Sequence, residues 1–360
     1  MKILQVIVTL GSGGAQKLLE DLVPRFNQEI QTDVLMLVDT KSKTVDSLRA
    51  NGIKVMTLGS RFYYNPLISI KLVKYFKLYD IVHVHLFPTI YWSAIASMFC
   101  NTKLVYTEHS TSNRRRGSVF FKLLDKIAYS RYTKVIAISD GTRKQLTKWL
   151  DVKNQDSRFV TIQNGIDTEK FREKSLESKR TGSQIVNLLM ISRFVKAKDH
   201  KTVIKAMQYL DANYHLQFVG DGELQEDAIK YAQELGVDNK ISFLGRREDV
   251  PSLIAGCDIG IQSSNWEGFG LTAVEFMAAG KPVIVTCVDG LQQVVEGAGL
   301  TFDVGDVKTL VDYIKKLATD FTYYNIISDA CIQRSKEYDI NIMERRYIDL
   351  YNTIKITDNE

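Results

Sequence analysis

Short apolar runs rich in valine and isoleucine alternate with longer amphipathic segments along the chain. Eleven of these runs have the length and composition of strands buried on both faces of a sheet. They are Ile3–Thr9, Val34–Val38, Ile81–His85, Leu104–Tyr106, Val135–Ile138, Val160–Ile162, Val186–Ile191, His215–Val219, Ile241–Phe243, Ile259–Gln262 and Val283–Thr286. The segments between them have helical spacing, and after Thr309 the helical pattern continues to the end. This alternation predicts an α/β fold with doubly wound parallel sheets.

The length of 360 residues predicts two such domains, because a domain has about 150 residues. A hydrophobic share of 45% and a charged share of 25% exclude disordered, collagen-like and coiled-coil proteins. Lys, Arg, Glu and Ser dominate residues 168–184, which are the predicted linker. We therefore expect an N-terminal domain over residues 1–167, a C-terminal domain over residues 185–335, and a helix over residues 336–360 that returns to the N-terminal domain.

The apolar run at the N-terminus fits either a weak signal peptide or a first strand. Gln5 interrupts the run and a glycine loop follows it, which favours the strand. The longest uncharged apolar stretch, residues 86–100, contains Pro88 and is shorter than the roughly 20 residues that span a bilayer. No spanning helix is predicted. The four cysteines show no metal-binding spacing and are expected to be reduced, structural thiols.

A glycine loop, Gly11-Ser-Gly13-Gly14-Ala-Gln16, separates the first strand from a predicted helix over residues 17–26. Its backbone amides are placed to approach an anion at the start of that helix. A dinucleotide fingerprint needs a third glycine where Gln16 stands, so an oxidoreductase is disfavoured. Two interpretations remain, a structural tight turn and a loop beside a cleft in which Gly13 and Gly14 approach a ligand.

The most informative segment runs from Ser264 to Val285 and contains two glutamates, Glu267 and Glu275, eight positions apart. The pattern predicts a strand, a glycine-containing loop and a helix from about Leu271, whose free amides favour an anionic ligand. A helical span of eight residues measures up to about 12 Å, which exceeds the roughly 5 to 9.5 Å between paired glycosidase acids. The two glutamates are better suited to bind two parts of one long ligand.

This Glu-x7-Glu segment resembles the signature of retaining glycosyltransferases of family 4. Further segments resemble the family pattern in family order, so that the resemblance covers residue 3 to about residue 300. They are Asn164–Asp167, Ile191–His200, Phe218–Leu224 and Phe243–Pro251. Ser192 and Asp199 replace two glycines usual in the family's phosphate motif. The resemblance implies a GT-B fold, in which two Rossmann-like, doubly wound parallel-sheet domains face a central cleft and C-terminal helices bridge them.

The resemblance implies that the donor is a nucleotide sugar. Glu275 then binds the ribose hydroxyls, and Glu267 lies beside the transferred sugar as a catalytic residue. The backbone amides of Phe269, Gly270 and Leu271 then meet sugar hydroxyls and phosphate at the helix start. A solvated glutamate on a helix is the alternative for the pair.

Three cations and a histidine complete the candidate site. Breaking the sugar–diphosphate bond builds negative charge on the leaving phosphate, and Arg193 and Lys198 fit the need to stabilise it without a metal or another cofactor. A structural surface pair is the alternative. His109 matches the family histidine that faces the donor sugar. His83 and His85 are interpreted as core or strand-end histidines, with a position facing the cleft as the alternative for His85. Arg246 is either a nucleotide contact or a surface arginine.

A basic patch lies within residues 101–150, which carry 11 Lys and Arg against 3 Asp and Glu. Apolar Phe120, Leu123, Leu124 and Ile127 recur there at helical spacing. One interpretation is a domain helix that packs its apolar face on the sheet. The other is that Arg114, Arg115, Arg116, Lys122 and Lys126 contact anionic lipid headgroups and bring the first domain to a lipid-linked acceptor.

The sequence therefore predicts a cytoplasmic, metal-independent retaining hexosyltransferase that is peripheral at the inner face of the membrane. We expect a UDP-sugar rather than a GDP-sugar donor, a glycan acceptor on a lipid carrier, and a role in surface or capsular polysaccharide biosynthesis. No nucleic-acid partner is expected. The alternatives are a nucleotide-sugar epimerase or hydrolase on the same fold, and a non-catalytic nucleotide-sugar-binding protein. The base, sugar, linkage and acceptor are left open.

Overall fold

Each half of the chain folds around one parallel sheet. The computed structural model describes residues 1–11, 13–110, 116–153, 156–177 and 185–356. Unit 1 comprises Met1–Gly165 together with the segment from Ile340 onward, and unit 2 comprises Ile166–Asp339. The prediction of two Rossmann-like, parallel-sheet domains is confirmed by these two sheets.

Unit 1 contains a seven-stranded parallel sheet in the order β3-β2-β1-β4-β5-β6-β7. Its strands are β1 (Lys2–Ile7), β2 (Gln31–Met36), β3 (Val55–Thr57), β4 (Ile81–His85), β5 (Lys103–Glu108), β6 (Lys134–Ala137) and β7 (Phe159–Thr161). Its helices are α1 (Gly14–Phe26), α2 (Lys43–Ala50), α3 (Ile68–Phe76), α4 (Thr89–Ser97), α5 (Val119–Ser130) and α6 (Asp140–Leu150). Every residue of β4 is buried, as expected of a central strand covered by helices on both faces.

Unit 2 contains a six-stranded parallel sheet in the order β10-β9-β8-β11-β12-β13. Its strands are β8 (Val186–Ile191), β9 (Tyr214–Val219), β10 (Ile241–Phe243), β11 (Ile259–Gln262), β12 (Val283–Thr286) and β13 (Leu300–Phe302). Its helices are α7 (Thr168–Glu177), α8 (His200–Ala206), α9 (Gln225–Glu234), α10 (Val250–Gly256), α11 (Leu271–Ala278), α12 (Leu291–Val295), α13 (Val307–Thr319) and α14 (Phe321–Ser335). Short 3-10 turns occur at Met207–Tyr209, Asp238–Lys240 and Lys336–Tyr338.

The last helix, α15 (Ile340–Ile356), belongs to unit 1. It packs on α1, where Tyr347 and Tyr351 each lie 5.8 Å from the ring centroid of Phe26. The chain thus passes from unit 1 to unit 2 after Gly165 and returns at Ile340. The first ten residues of the predicted linker form α7, which packs against α10 and α11. Its remaining residues, 178–184, lie outside the described part of the chain.

Helix α5 corrects one of the two interpretations of the amphipathic segment. Its buried residues are Asp125, Ala128 and Tyr129, and of the apolar residues that the spacing singled out only Leu124 is half-buried. The Asp125 carboxylate accepts hydrogen bonds from the Tyr91 hydroxyl at 2.5 Å and from Trp149 Nε1 at 2.9 Å, which satisfy its buried oxygens. The apolar stripe faces outward: the exposed fractions are 85% for Val119, 66% for Phe120, 60% for Leu123 and 58% for Ile127.

Two further features bear on the sequence predictions. Among the residues that the structure describes, no helix is long and apolar enough to cross a membrane. All four cysteines are free thiols, and burial raises the pKa of Cys257 and of Cys331 to about 12.

Candidate functional site

The strand order of each sheet reverses at one place, and the candidate residues collect at the carboxyl edge of the sheet there. In unit 2 the reversal lies between β8 and β11, and in unit 1 it lies between β1 and β4. Ligands of open α/β sheets bind at such switch points, because the loops on the two sides diverge and leave a crevice.

Lys198 is the centre of the unit 2 site. Its ammonium group forms an ion pair with Glu267 Oε2 and donates to Ser264 Oγ at 3.2 Å. Lys198 follows β8 and Ser264 follows β11, so this contact spans the switch point. Both partners of the ion pair are largely shielded from water, with side-chain exposures of 15% and 20%. The attraction between the two charges is therefore only weakly screened by solvent.

The loop that carries Arg193 and Lys198 is anchored by Phe194. The Phe194 ring is buried and stacks on His200 at 4.0 Å between ring centroids. Gly220 and Gly222 have φ of +138° and +148°, and a Cβ at these positions would lie 2.0 Å from Ser192 O and 2.4 Å from Phe194 O. Glycine is required at both positions for this close approach. The loop is therefore closely packed at its start, and the Arg193 side chain is exposed.

The N-terminus of α11 faces the same edge of the sheet. Gly270 precedes the helix with φ +90°, and the backbone amide of Gly268 donates to Glu267 Oε1 at 3.0 Å. The Phe269 side chain is buried against Tyr338, so only its backbone is available to a ligand. The first-turn amides and the helix dipole favour negative charge at this point.

Two further predicted residues lie near this edge. Glu275 is on α11, one turn into the helix, and is half-buried. Arg246 follows β10 and is exposed, next to Gly245, whose carbonyl accepts from Gly220 N at 2.8 Å. The described residues thus bring Arg193, Lys198, Glu267 and the start of α11 to one edge. Such an arrangement suits a ligand with a negatively charged group.

The unit 1 site consists of neutral histidines. His109 follows β5, and its Nε2 lies 3.1 Å from Nδ1 of His85. Burial lowers the pKa of His83 to about 3 and of His109 to about 4, and lowers the pKa of His85 well below its ordinary value. The rings of His83 and His85 are 4.2 Å apart. Like-charge repulsion within the cluster therefore adds to burial in keeping His83 and His85 neutral.

The glycine loop of unit 1 leads directly into α1. The carbonyl of Gly13 accepts from Lys17 N at 3.0 Å, and Gly14 is the first residue of the helix. Ser12, between the flanking glycines, lies outside the described residues. The structure therefore places Gly13 and Gly14 at the switch point of unit 1, beside β1.

The predicted basic patch is only partly described. Lys122 and Lys126 both pair with Asp151, at 2.7 and 2.9 Å, and Arg116 lies 3.8 Å from Glu108. Arg114 and Arg115 lie outside the described residues. Arg116, Lys122 and Lys126 thus have acidic partners within unit 1, while the apolar stripe of α5 faces outward.

Sequence reasoning did not assign a role to Ser264, Gln5 or Tyr351. Ser264 contacts Lys198, and Gln5 and Tyr351 join the histidine cluster. A signal for Gln5 was present, because a polar residue inside a buried strand needs a hydrogen-bond partner. No signal in the local sequence identifies Tyr351, which is 346 positions from Gln5.

Within the described segments, no group of three or more His, Cys, Asp or Glu side chains is arranged to hold a metal ion.

Two family models match the chain and together span most of its length. The model described as Glycosyltransferase Family 4 matches residues 12–170, and the model described as Glycosyl transferases group 1 matches residues 171–335.

Curated relatives cover most of this chain. An Escherichia coli protein named UDP-Gal:alpha-D-GlcNAc-diphosphoundecaprenol alpha-1,3-galactosyltransferase is 28% identical over 76% of this chain and 75% of its own length. A Campylobacter jejuni protein named N-acetylgalactosamine-N,N'-diacetylbacillosaminyl-diphospho-undecaprenol 4-alpha-N-acetylgalactosaminyltransferase is 24% identical over 92% of this chain and 94% of its own.

A solved structure has the same fold at low identity. The Anabaena protein HepE, solved in complex with UDP and glucose, has a TM-score of 0.85 and 23% identity, and the match covers 98% of this chain and 99% of that one.

Proposed function

The chain belongs to glycosyltransferase family 4, and we propose that it transfers a hexose from a UDP-sugar to a lipid-linked glycan with retention of the anomeric configuration. The observation that carries the proposal is the contact of Lys198 with Glu267 and Ser264 across the switch point of unit 2. The two relatives support the acceptor, because each is named for a sugar on diphosphoundecaprenol. The E. coli name also contains UDP-Gal, which supports a UDP donor.

In the proposed reaction the bond between the sugar and the diphosphate breaks, and the leaving phosphate gains negative charge. Arg193, Lys198 and the first amides of α11 stabilise that charge without a metal. Glu275 accepts hydrogen bonds from the ribose hydroxyls, and Arg246 contacts the base. Glu267 and His109 orient hydroxyls of the transferred sugar, and Gly13 and Gly14 allow close approach of the donor. The leaving phosphate takes the proton of the acceptor hydroxyl, so no protein nucleophile is assigned.

A thermal-shift panel tests the donor. UDP, GDP, ADP and CMP are compared with their sugar conjugates, since a ligand that binds only the folded state raises the apparent stability. We expect a shift with UDP and a larger shift with one UDP-hexose. A panel without any shift, confirmed by calorimetry, would contradict a nucleotide-sugar donor. Incubation of the donor without acceptor, followed by mass spectrometry, separates transfer from epimerisation or hydrolysis.

The proposal also places the protein on the inner face of a membrane in the cytoplasm, in surface or capsular polysaccharide synthesis. The outward stripe Val119, Phe120, Leu123 and Ile127 supports this placement, because large contiguous apolar surface is uncommon on soluble proteins. Residues 101–150 also carry a net charge of +8, which suits anionic lipid. The stripe thus adds an apolar contact to the arginines and lysines that the sequence predicts to bind lipid headgroups.

Vesicle flotation tests the membrane contact. We expect binding to anionic vesicles and weaker binding to neutral ones. The double variant Phe120→Ser, Leu123→Ser should reduce anionic binding at least about tenfold, because burying one such side chain contributes about 1.5–3 kcal/mol. Leu176→Ser, an exposed leucine of unit 2, is the matched control and should bind like the wild type. Equal flotation with both vesicle types, or by both variants, would contradict the placement.

A further inference from the structure

A continuous row of hydrogen bonds runs through the interior of unit 1 and ends at His109. It joins three strands and the C-terminal helix α15. Its members, in order, are His109, His85, Gln5, Tyr351, His83, Thr107 and Tyr347. All except His109 are buried. Such a row has a direction, because each hydroxyl and each neutral ring donates on one side and accepts on the other.

The direction is set by the side-chain amide of Gln5. Its Oε1 lies 2.8 Å from His85 Nε2, and since an amide oxygen only accepts, His85 carries its hydrogen on Nε2. His85 Nδ1 is then an acceptor for His109, whose Nε2 lies 3.1 Å away and must carry the hydrogen. Nδ1 of His109 is left with a lone pair. No described residue has a hydrogen bond with that nitrogen.

The Gln5 amide bonds Tyr351 on its other side, so the direction of the row continues toward His83. Gln5 Nε2 donates to the Tyr351 hydroxyl at 3.3 Å, and that hydroxyl donates to His83 Nδ1 at 2.7 Å. His83 then donates from Nε2 to Thr107 Oγ1 at 2.7 Å. A rotated Gln5 amide would reverse every bond of the row and would put the hydrogen of His109 on Nδ1.

The argument requires three neutral rings, since a protonated ring donates from both nitrogens. Burial lowers the pKa of all three histidines below their ordinary value, to about 3 for His83 and about 4 for His109. At pH 7 each ring therefore carries one hydrogen, and the row has one direction at a time.

We infer that Gln5 and Tyr351 are positioning residues that hold His109 as the Nε2–H tautomer, so that His109 Nδ1 accepts a hydrogen bond from a hydroxyl of the bound sugar. The sugar ligand rests on the proposed function. The tautomer does not, because it is a property of the protein without ligand. Neither residue contacts the sugar, and both act only through the histidines.

Nitrogen-15 NMR of histidine-labelled protein at pH 7 reads the tautomer directly. The signals of His109 are assigned by their loss in His109→Gln. We expect Nε2 of His109 to be protonated and Nδ1 to be unprotonated in the wild type. In Gln5→Met, which removes the amide at similar size, and in Tyr351→Phe, which removes one oxygen, His109 should become a mixture of tautomers. Tyr132→Phe is the matched control, because it removes a buried hydroxyl of unit 1 that donates to Ile90 O at 2.8 Å, outside the row.

Hydrogen on Nδ1 of wild-type His109 would overturn the inference, as would an unchanged tautomer in both Gln5→Met and Tyr351→Phe. If Gln5→Met does not fold, Tyr351→Phe alone decides. The spectra also decide if no nucleotide sugar proves to be a substrate, so this inference and the proposed function fail separately.

Kinetics distinguish positioning from a merely structural role. In Gln5→Met we expect kcat/KM for the sugar donor to fall about tenfold, the factor that corresponds to one hydrogen bond, while the affinity for UDP stays unchanged. Tyr132→Phe should keep the wild-type kcat/KM. An equal loss in Tyr132→Phe, or a parallel loss of UDP affinity in Gln5→Met, would contradict the positioning role.

Discussion

The two switch-point edges have the same sheet topology but opposite chemistry. At the edge of unit 2, charged side chains and the start of α11 surround Lys198. At the edge of unit 1, buried and neutral histidines lie in a directed hydrogen-bond row. Fixed charge suits an anionic group, whereas directed neutral donors and acceptors suit uncharged hydroxyls. The strand order around the switch point is the same in both sheets, so the difference in chemistry comes from the residues that follow the strands.

The largest effect is expected from removing the cation at the unit 2 edge. Lys198→Ala should lower the rate of sugar transfer about 10²–10³-fold, because the leaving diphosphate loses a preorganised donor. Lys201→Ala is the control, since Lys201 lies on α8 over the ring of Tyr231. Steady-state kinetics check the difference. A transfer rate of Lys198→Ala within about threefold of the wild-type rate would contradict the role of Lys198 in stabilising the leaving diphosphate.

The second effect concerns the glycines that shape the two edges. Gly220→Ala should destabilise the protein by about 2 kcal/mol or more, because its Cβ would lie 2.0 Å from a backbone oxygen. Gly236→Ala, at φ +67° with no atom within 4 Å, separates backbone strain from the clash and should cost about 1 kcal/mol. Gly11→Ala in unit 1 meets only an ordinary contact at 3.6 Å and should change stability by less than about 0.5 kcal/mol. Urea unfolding measures the free energy of unfolding of the three variants. Equal losses in all three would contradict the tighter backbone packing that we infer at Gly220.

The third effect is the acid response of the two units. His83 and His85 lie wholly inside unit 1 and His200 inside unit 2, and burial lowers the pKa of each, to about 3 for His83 and about 4 for His200. Their neutral forms are favoured on folding, so the unfolded chain takes up protons first as the pH falls below about 6.5. The free energy of unfolding should then fall by up to about 1.4 kcal/mol per pH unit for each such histidine, down to the folded pKa.

Hydrogen exchange read by mass spectrometry separates the two units in this experiment. Peptides from β4 should lose protection faster than peptides from β8 as the pH falls from 6.5 to 4.5, after correction for the intrinsic exchange rate. Equal losses of protection in both strands would contradict the greater acid sensitivity that we expect from the buried histidines of unit 1.

Most of the fold could be predicted from the sequence, because buried parallel strands leave a strong local signal. All eleven predicted strands are present with ends shifted by a few residues. The prediction missed β3 and β13, two edge strands of three residues that are largely half-buried and so lack a continuous apolar run. It also missed α7, whose composition is that of a linker because Phe171 is its one buried large apolar side chain.

Neither the buried side of α5 nor the hydrogen-bond row could be predicted, since both depend on residues that are far apart in sequence. The periodicity of α5 is amphipathic, but its inner face is decided by Tyr91 and Trp149, which bind Asp125. Lys198 and Glu267 were each predicted from the sequence as site residues. Their contact, across 69 positions, could not be predicted because it depends on the fold. The same holds for Gln5 and Tyr351.

The central claim is that the protein moves a hexose from a UDP-sugar to a lipid-linked glycan. Its most direct test is mass spectrometry of a diphosphoundecaprenol-linked sugar incubated with the protein, a UDP-hexose and a metal chelator. The account predicts that the acceptor gains the mass of one hexose while an equal amount of UDP is released. Release of UDP and free sugar with no change in the acceptor, or an unchanged donor, would contradict it.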